Sequence, residues 1–176
     1  RVLFRSVYTD SGAVVDFDVS NRLSTVAEVI EEASHKVLIF APFRHTIQLL
    51  HAYLTKVGVV CECIHGDVPV HARTNIFKRF QEDNNSLKVL IIQPQAAAHG
   101  VTLTAADTII WYAPVTSTET YLQANARIDR PGQRNAMTII HIEGSPVERK
   151  LYYMLRNNIN NHEKVVELYR KEMEET

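Results

Sequence analysis

K-V-L-I-F-A, residues 36–41, is apolar after its first position and shows no alternation. A half-buried strand alternates polar and apolar side chains, and an amphipathic helix repeats every third or fourth residue. A short run that does neither fits a strand covered on both faces, as in a parallel sheet with helices on either side. Val59–Ile64, Lys88–Ile92, Thr108–Tyr112 and Met137–Ile142 read the same way, each brief and bounded by polar or turn-forming residues.

Helical spacing fills the intervals. Leu23, Val26, Ile30 and Ala33 recur at 3, 4 and 3, with Ser20 placed to cap the helix. Ile47, Leu50, Leu54 and Val57 repeat that spacing, and Gly58 stops it. Asp67 with Pro69 opens a helix carrying Ile76, Phe77 and Phe80. Thr116-x-x-Glu119 has the form of a capping box. This alternation predicts right-handed crossovers and an α/β domain with a helix-covered, mainly parallel sheet. Residues 1–20, where Ser11-Gly12 separates two β-like pieces, read as a linker or appended hairpin. Residues 21–146 form the domain, and 147–176 a C-terminal helical brace. In the brace Val147, Leu151, Leu155 and Ile159 make one stripe, the asparagine cluster at 157–161 interrupts it, and a charged helix follows over Glu163–Glu175.

The 176 residues suffice for one domain with a real core. Hydrophobic residues at 45% and charged residues at 22% are ordinary for a globular chain, and a net charge of −1 excludes a global basic field for nucleic acid. Cys61 and Cys63 stand two apart with no second pair for zinc, so they read as reduced thiols. The histidines show no paired ligand spacing, and no apolar run approaches the ~18 residues of a membrane span. The chain begins at Arg1 rather than Met, which reads as a piece of something longer.

Ligands of open α/β sheets collect at the carboxyl ends of strands. Three loops qualify: Ala41-Pro42-Phe43-Arg44; Gln93 to Thr104, rich in small residues; and Q-A-N-A-R-I-D-R-P-G-Q, residues 123–133. In a helix, Gln123, Arg127 and Arg130 fall at i, i+4 and i+7, one stripe suited to an anion. The alternative is a solvated face with the arginines paired to Asp129 or Glu119. No G-x-x-x-x-G-K-[ST] loop and no strand ending in paired acids occurs, so the phosphate cradle and magnesium ligands of a nucleotide hydrolase are missing from this chain. The arginines then read as a charge clamp completing a site built elsewhere.

Residues 36–155 resemble the second RecA-like lobe of superfamily-two helicases, specifically the Swi/Snf-type DNA translocases. K-V-L-I-F-A-P-F (36–43) resembles motif IV. H-G-D-V-P-V-H-A-R-T-N-I-F-K-R-F (65–80) resembles the segment that follows it, with Gly66, Arg73 and Phe80 in place. A-A-A-H-G-V-T-L-T-A-A-D-T-I-I (96–110) resembles motif V, Q-A-N-A-R-I-D-R-P-G-Q resembles motif VI, and V-E-R-K-L (147–151) resembles the segment after it. Departures from the family pattern are Ala126 for Gly, Asp129 for His, Pro131 for Ile, Ala97 and Ala98 for glycines, Thr102 for Asn, and Gln93-Pro94 for Ser-Thr.

The resemblance implies a three-layer RecA-like lobe working with a first lobe on ATP and magnesium. It implies that Arg127 and Arg130 contact the γ-phosphate with support from Gln123, and that Gly100, Val101 and Thr102 line the nucleotide or couple it to DNA. Pro42, Phe43, Arg44, Gln93 and Gln95 would face the backbone of duplex DNA. Arg73 reads as a structural ion pair and His99 as a loop surface residue. The setting implied is intracellular, in cytoplasm or nucleus, with no membrane partner. Rival expectations are a stand-alone binding module without a catalytic cycle and a lobe of an RNA helicase.

Overall fold

The computed structural model describes residues 6–8, 14–16, 19–97 and 100–158. Two short strands, β1 (Ser6–Tyr8) and β2 (Val14–Asp16), pair antiparallel with Val7 opposite Val15. The chain then alternates α1 (Ser20–Glu32), β3 (Lys36–Phe40), α2 (Arg44–Lys56), β4 (Cys61–Ile64), α3 (Val70–Gln81), β5 (Val89–Ile92), a 3-10 turn (Pro94–Ala97), β6 (Ala106–Trp111), α4 (Thr118–Asn125), β7 (Thr138–His141) and α5 (Pro146–Arg156). The five later strands form one sheet in the order β4-β5-β3-β6-β7, with every pairing parallel.

Each strand turns successive residues to opposite faces, and helices cover both. Leu38, Phe40, Leu90, Ile92, Ile109 and Trp111 face a layer holding Ile76 and Phe80 of α3, Tyr121 and Ala124 of α4, and Tyr152 and Leu155 of α5. Val37, Ile39, Val89, Ile91 and Ile110 face Leu23, Val26 and Ile30 of α1 and Ile47, Leu50 and Leu54 of α2. The result is the three-layer α/β architecture predicted from the unalternating strands.

Several sequence expectations need correction. β7 is not a covered strand: it is the edge of the sheet, with Thr138 and Ile139 exposed. Val57 is half exposed because α2 ends at Lys56, and the chain turns through Gly58 at φ +86°. Val19, not Ser20, occupies the position preceding α1. The cap of α4 is Ser117, whose Oγ accepts from Thr120 N at 3.2 Å, one residue beyond the expected Thr116. Val147, Leu151 and Leu155 are buried in the docked face of α5, which Ser145 caps through Glu148 N. This helix ends at Arg156, with Asn158 at φ +53°. The charged second helix expected over 163–175, and Ile159, lie outside the described residues.

A long-range tie fastens the two ends of this architecture. Glu148 is fully buried and accepts two bonds from Arg22 Nη1, at 2.9 and 3.1 Å, and one from Gly144 N. The other guanidinium nitrogen of Arg22 donates to the carbonyls of Tyr112 and Ile142, at the carboxyl ends of β6 and β7. Burial pushes the Glu148 carboxyl up, while the Arg22 charge and the hydrogen bonds it accepts pull it back.

Candidate functional site

α4 carries Gln123 on its exposed side but stops at Asn125, before either arginine. The expected helical stripe therefore does not form. Tertiary bonds end the helix: Trp111 Nε1 donates to Asn125 Oδ1 at 2.9 Å, and Leu103 N donates to Arg127 O at 2.9 Å. The chain tightens into a turn in which Arg127 points inward, 4% exposed, and Arg130 stays in solvent. Burial first, and then the nearby charge of Arg130, lower the pKa of Arg127.

Arg130 Nε donates to Ala126 O at 3.0 Å, leaving most of its guanidinium outward. Among the described residues it makes no ion pair, and Glu119 instead accepts from Gln123 Nε2 at 2.9 Å. The solvated-face alternative, with the arginines neutralised by Asp129 or Glu119, is not what this turn does with Arg130.

Gln133 closes the turn. Its Nε2 donates to Ala106 O at 2.8 Å and Ile128 O at 3.2 Å, and its Oε1 accepts from Asn135 N at 3.1 Å. Ala106 is the first residue of β6, so the arginine turn sits near the amino end of that strand rather than at the carboxyl ends where the loops were expected to gather. The physical reason is α4 itself: its 8 residues carry the chain back by about 12 Å. Gly100 (φ +72°), Val101 and Thr102 approach the same turn, because Leu103 is bonded to it. Gly100 and Thr102 are exposed and Val101 packs on the core. His99 lies outside the described residues. A polar hollow of ≈ 270 Å³ adjoins the turn, lined by His35, Gln81, Asp83, Thr104, Gly132 and Arg134 among others. Thr104 and Gly132 belong to the candidate loops of the sequence; His35, Gln81, Asp83 and Arg134 are not singled out there.

A second concavity opens at the carboxyl ends of the strands. Pro42, Phe43 and Gln95 line a groove of ≈ 390 Å³ with Pro114, Val115, Thr116, Ser117 and Thr120. Phe43 is 47% exposed there. The other two residues expected on this surface are engaged within the lobe. Arg44 pairs with Asp67 across exposed surface. Gln93 bridges two loops, accepting from Gly66 N and donating to Pro42 O, both at 3.3 Å. The hydroxyls of Thr116, Ser117 and Thr120 belong to the run T-S-T-E-T, which in sequence has the form of a helix cap and so does not single them out as a surface.

Arg73 corrects a further expectation. It bonds carbonyls, not a carboxylate: Nε to Val68 O at 2.7 Å and Nη2 to Gly66 O at 2.8 Å, stapling the loop before α3. Cys61 and Cys63 are free, and burial pushes the Cys63 thiol up to about 12. Among the described residues no group of three His, Cys, Asp or Glu side chains is placed to hold a metal ion, and no helix is long and apolar enough to cross a membrane.

Residues 21–132 match the family model described as the helicase conserved C-terminal domain. Among curated proteins the chain is similar to the CHD3-type chromatin-remodeling factor CHR7 of Arabidopsis thaliana, 31% identical over 74% of this chain and 11% of that protein. It is also similar to mouse chromodomain-helicase-DNA-binding protein 1-like, at 28% over 74% of this chain and 14% of that protein. Human chromodomain-helicase-DNA-binding protein 8 is 31% identical over 70% of this chain and 5% of its own length. The chain thus spans a small fraction of these relatives. Among solved structures, the C-terminal part of the Fun30 ATPase domain superposes with a TM-score of 0.70 at 21% identity, covering 76% of this chain and 44% of that one. The C-terminal domain of the DEAD-box protein Dbp5 gives 0.66 at 19%, covering 80% and 79%. At these identities the two structures bear on the fold alone, and both share this α/β architecture.

Proposed function

This chain belongs to the helicase conserved C-terminal domain family, and from that premise we propose that it is the second motor lobe of an ATP-dependent, Swi/Snf-type DNA translocase. In this reading Arg127 and Arg130 complete a site for ATP held chiefly by a first lobe, and the carboxyl-end groove contacts the backbone of duplex DNA. The observation that carries the proposal is the division between the two arginines. Arg127 is embedded and anchors the turn, while Arg130 presents a charge that no carboxylate of the described residues neutralises. A locked turn with an outward, unneutralised cation suits a polyanion arriving from outside, and a positioned arginine of this kind is worth roughly 10³–10⁵ in phosphoryl-transfer rate.

The fit to ATP is partial, and that agrees with a divided site. Gly100 and Thr102 leave backbone and a hydroxyl accessible beside the turn, with Gln123 one turn upstream. In this reading magnesium accompanies the nucleotide, held by its phosphates and by the first lobe. The groove offers Phe43, the Gln95 amide and three hydroxyl side chains, groups able to follow a phosphate backbone without reading bases. α4 joins the two regions, with Ser117 and Thr120 at the groove and Asn125 before the arginine turn. A rigid helix between them gives a path by which nucleotide state and grip on nucleic acid influence one another. Relatives named as a chromatin-remodeling factor and as a chromodomain-helicase-DNA-binding protein support a nuclear setting and chromatin DNA as the track.

The test is made in the longer protein that contains this chain. Arg130→Ala should reduce DNA-stimulated ATPase by about 10³-fold or more and leave the fold intact. Wild-type turnover would remove the arginine-turn proposal. Stimulation by RNA and not by duplex DNA would favour an RNA helicase lobe, and no ATPase at all would favour the stand-alone module.

A further inference from the structure

We infer that Trp111 and Asn125 are positioning residues for Arg130, an inference that rests on the arginine turn proposed above as part of an ATP site. The bond from the Trp111 indole to the Asn125 amide decides where α4 ends, and with it which of the two arginines is presented to solvent.

Local sequence does not stop α4 at Asn125. Ala126, Arg127, Ile128 and Asp129 follow without a glycine or proline, and the first breaker is Pro131. Ala and Arg are among the best helix formers, and Ala126 stands where the Swi/Snf pattern has glycine. By propensity alone the helix would run on to about Asp129. Gln123, Arg127 and Arg130 would then share one stripe, and neither arginine would be set apart.

The main chain leaves that course beside Asn125. Ala126 N still bonds Leu122 O, four residues back, at 3.0 Å. Arg127 N and Ile128 N turn instead to Ala124 O and Asn125 O, three residues back, at 3.2 and 3.4 Å. The α-helix thus tightens into a 3-10 path, which rises further per residue.

Two pins hold this path. One is main chain: Leu103 N donates to Arg127 O at 2.9 Å. The other is Trp111 Nε1, which donates to Asn125 Oδ1 at 2.9 Å. Trp111 is a firm anchor because it is the fully buried last residue of β6. Phe40 and Tyr121 flank its ring, with centroids 4.8 and 5.0 Å away. Its carbonyl accepts from Ile142 N at 2.9 Å and from the Tyr152 hydroxyl at 3.1 Å. A buried indole N–H is costly to leave unpaired, so it keeps its hold on the amide. Beyond the pins Arg127 turns into the lobe, and Arg130 Nε reaches Ala126 O while its charge faces outward. Trp111 and Asn125 act on the nucleotide through this path and not by touching it.

The test joins a structural and a kinetic measurement. In the 176-residue chain, Asn125→Ala should move the backbone Cα chemical shifts of Ala126–Asp129 toward helical values. Trp111→Phe, which keeps a ring and removes the donor, should move them the same way. In the longer protein, each variant should lower the DNA-stimulated kcat for ATP by about 10- to 100-fold, the effect of a displacement on the order of 1 Å. KM for ATP should stay within about threefold. The double variant should fall no further than either single, since both break one bond. Asn125→Ala added to Arg130→Ala should cost nothing more. Full turnover in Asn125→Ala and Trp111→Phe, where Arg130→Ala has lost its own, overturns this inference and leaves the arginine-turn reading standing. A lower kcat with unchanged Cα shifts, or a further loss in the Arg130→Ala background, also overturns it. Full turnover in Arg130→Ala removes the underlying reading, and this inference falls with it.

Discussion

Replacing Arg22 with Met keeps much of its length and removes its charge, which leaves the fully buried Glu148 carboxylate with only the Gly144 and Ser145 region for support. Orphaning one member of a buried pair costs about 3–5 kcal/mol. The upper part of that range applies here, because Glu148 loses two hydrogen bonds along with the opposite charge. Glu148→Gln should cost less, about 1–3 kcal/mol, since Arg22 keeps the carbonyls of Tyr112 and Ile142 and lies 4.9 Å over the Tyr112 ring. The double variant should then lose clearly less than the two singles added together. Urea unfolding followed by the fluorescence of the single tryptophan, Trp111, which is fully buried, reads all three. A pH dependence sharpens the test. In Arg22→Met the folded pKa of Glu148 stands further above its unfolded value near 4.5. Stability from the held proton is then fully present below that unfolded value and is lost as pH rises through the folded one. The deficit against wild type should therefore be larger at pH 7 than at pH 4.5 by about 1.4 kcal/mol or more. Single variants each costing less than about 1 kcal/mol, with strict additivity, would refute the idea of a buried lock.

The two arginines should separate in stability as they do in burial: Arg130→Ala leaves the urea midpoint within about 0.5 kcal/mol of wild type, while Arg127→Ala lowers stability by about 2–3 kcal/mol. Burial, with Arg156 nearby, depresses the pKa of His141 from 6.5 to about 4, so the native ring stays neutral where the unfolded one charges. Stability should fall as pH drops from 6.5 toward 4, by about 2 kcal/mol after allowing for the ring's partial exposure, and His141→Gln should flatten that slope in pH-dependent urea titrations. Duplex DNA binding by this chain alone should be weak and fall steeply with salt in titrations at two ionic strengths, because the net charge is −1 and contacts go to phosphates. A colorimetric phosphate assay on the same chain should register no ATP turnover, since no phosphate-binding loop of the G-x-x-x-x-G-K-[ST] type is present.

The central strands were legible because nothing but burial on both faces explains apolar runs such as V-L-I-F and V-L-I-I. β7 has a similar composition and still lies at the edge, because strand order is set by crossovers that no local pattern records. Helix ends were misread where tertiary bonds set them. The spacing of Gln123, Arg127 and Arg130 assumes a continuing helix, while Asn125 and Arg127 are each claimed by partners more than ten residues away. Arg22 and Glu148 stand 126 residues apart, each looking like an ordinary surface charge in its own segment. Gln93 and Gln133 carry flexible amides whose partners are carbonyls and amides of other loops, so composition gave no sign that they join elements together.

The closure of the arginine turn also bears on how this segment can drift while its geometry persists. Leu103 N, Gln133 Nε2 and Arg130 Nε all address carbonyl oxygens of the main chain, at Arg127, Ala106, Ile128 and Ala126. Every residue type brings the same carbonyl, so such bonds ignore the side chain at the position they hold. Ala126 sits at φ −65°, where glycine has no advantage, and Asp129 and Pro131 are exposed. Those are the three places in this stretch where the chain departs from the Swi/Snf pattern. Gly132, at φ +104°, is a conformation that side chains disfavour, and there the glycine is kept. The shape of this turn thus rests on backbone angles and a few anchoring amides, and places little demand on the side chains between them.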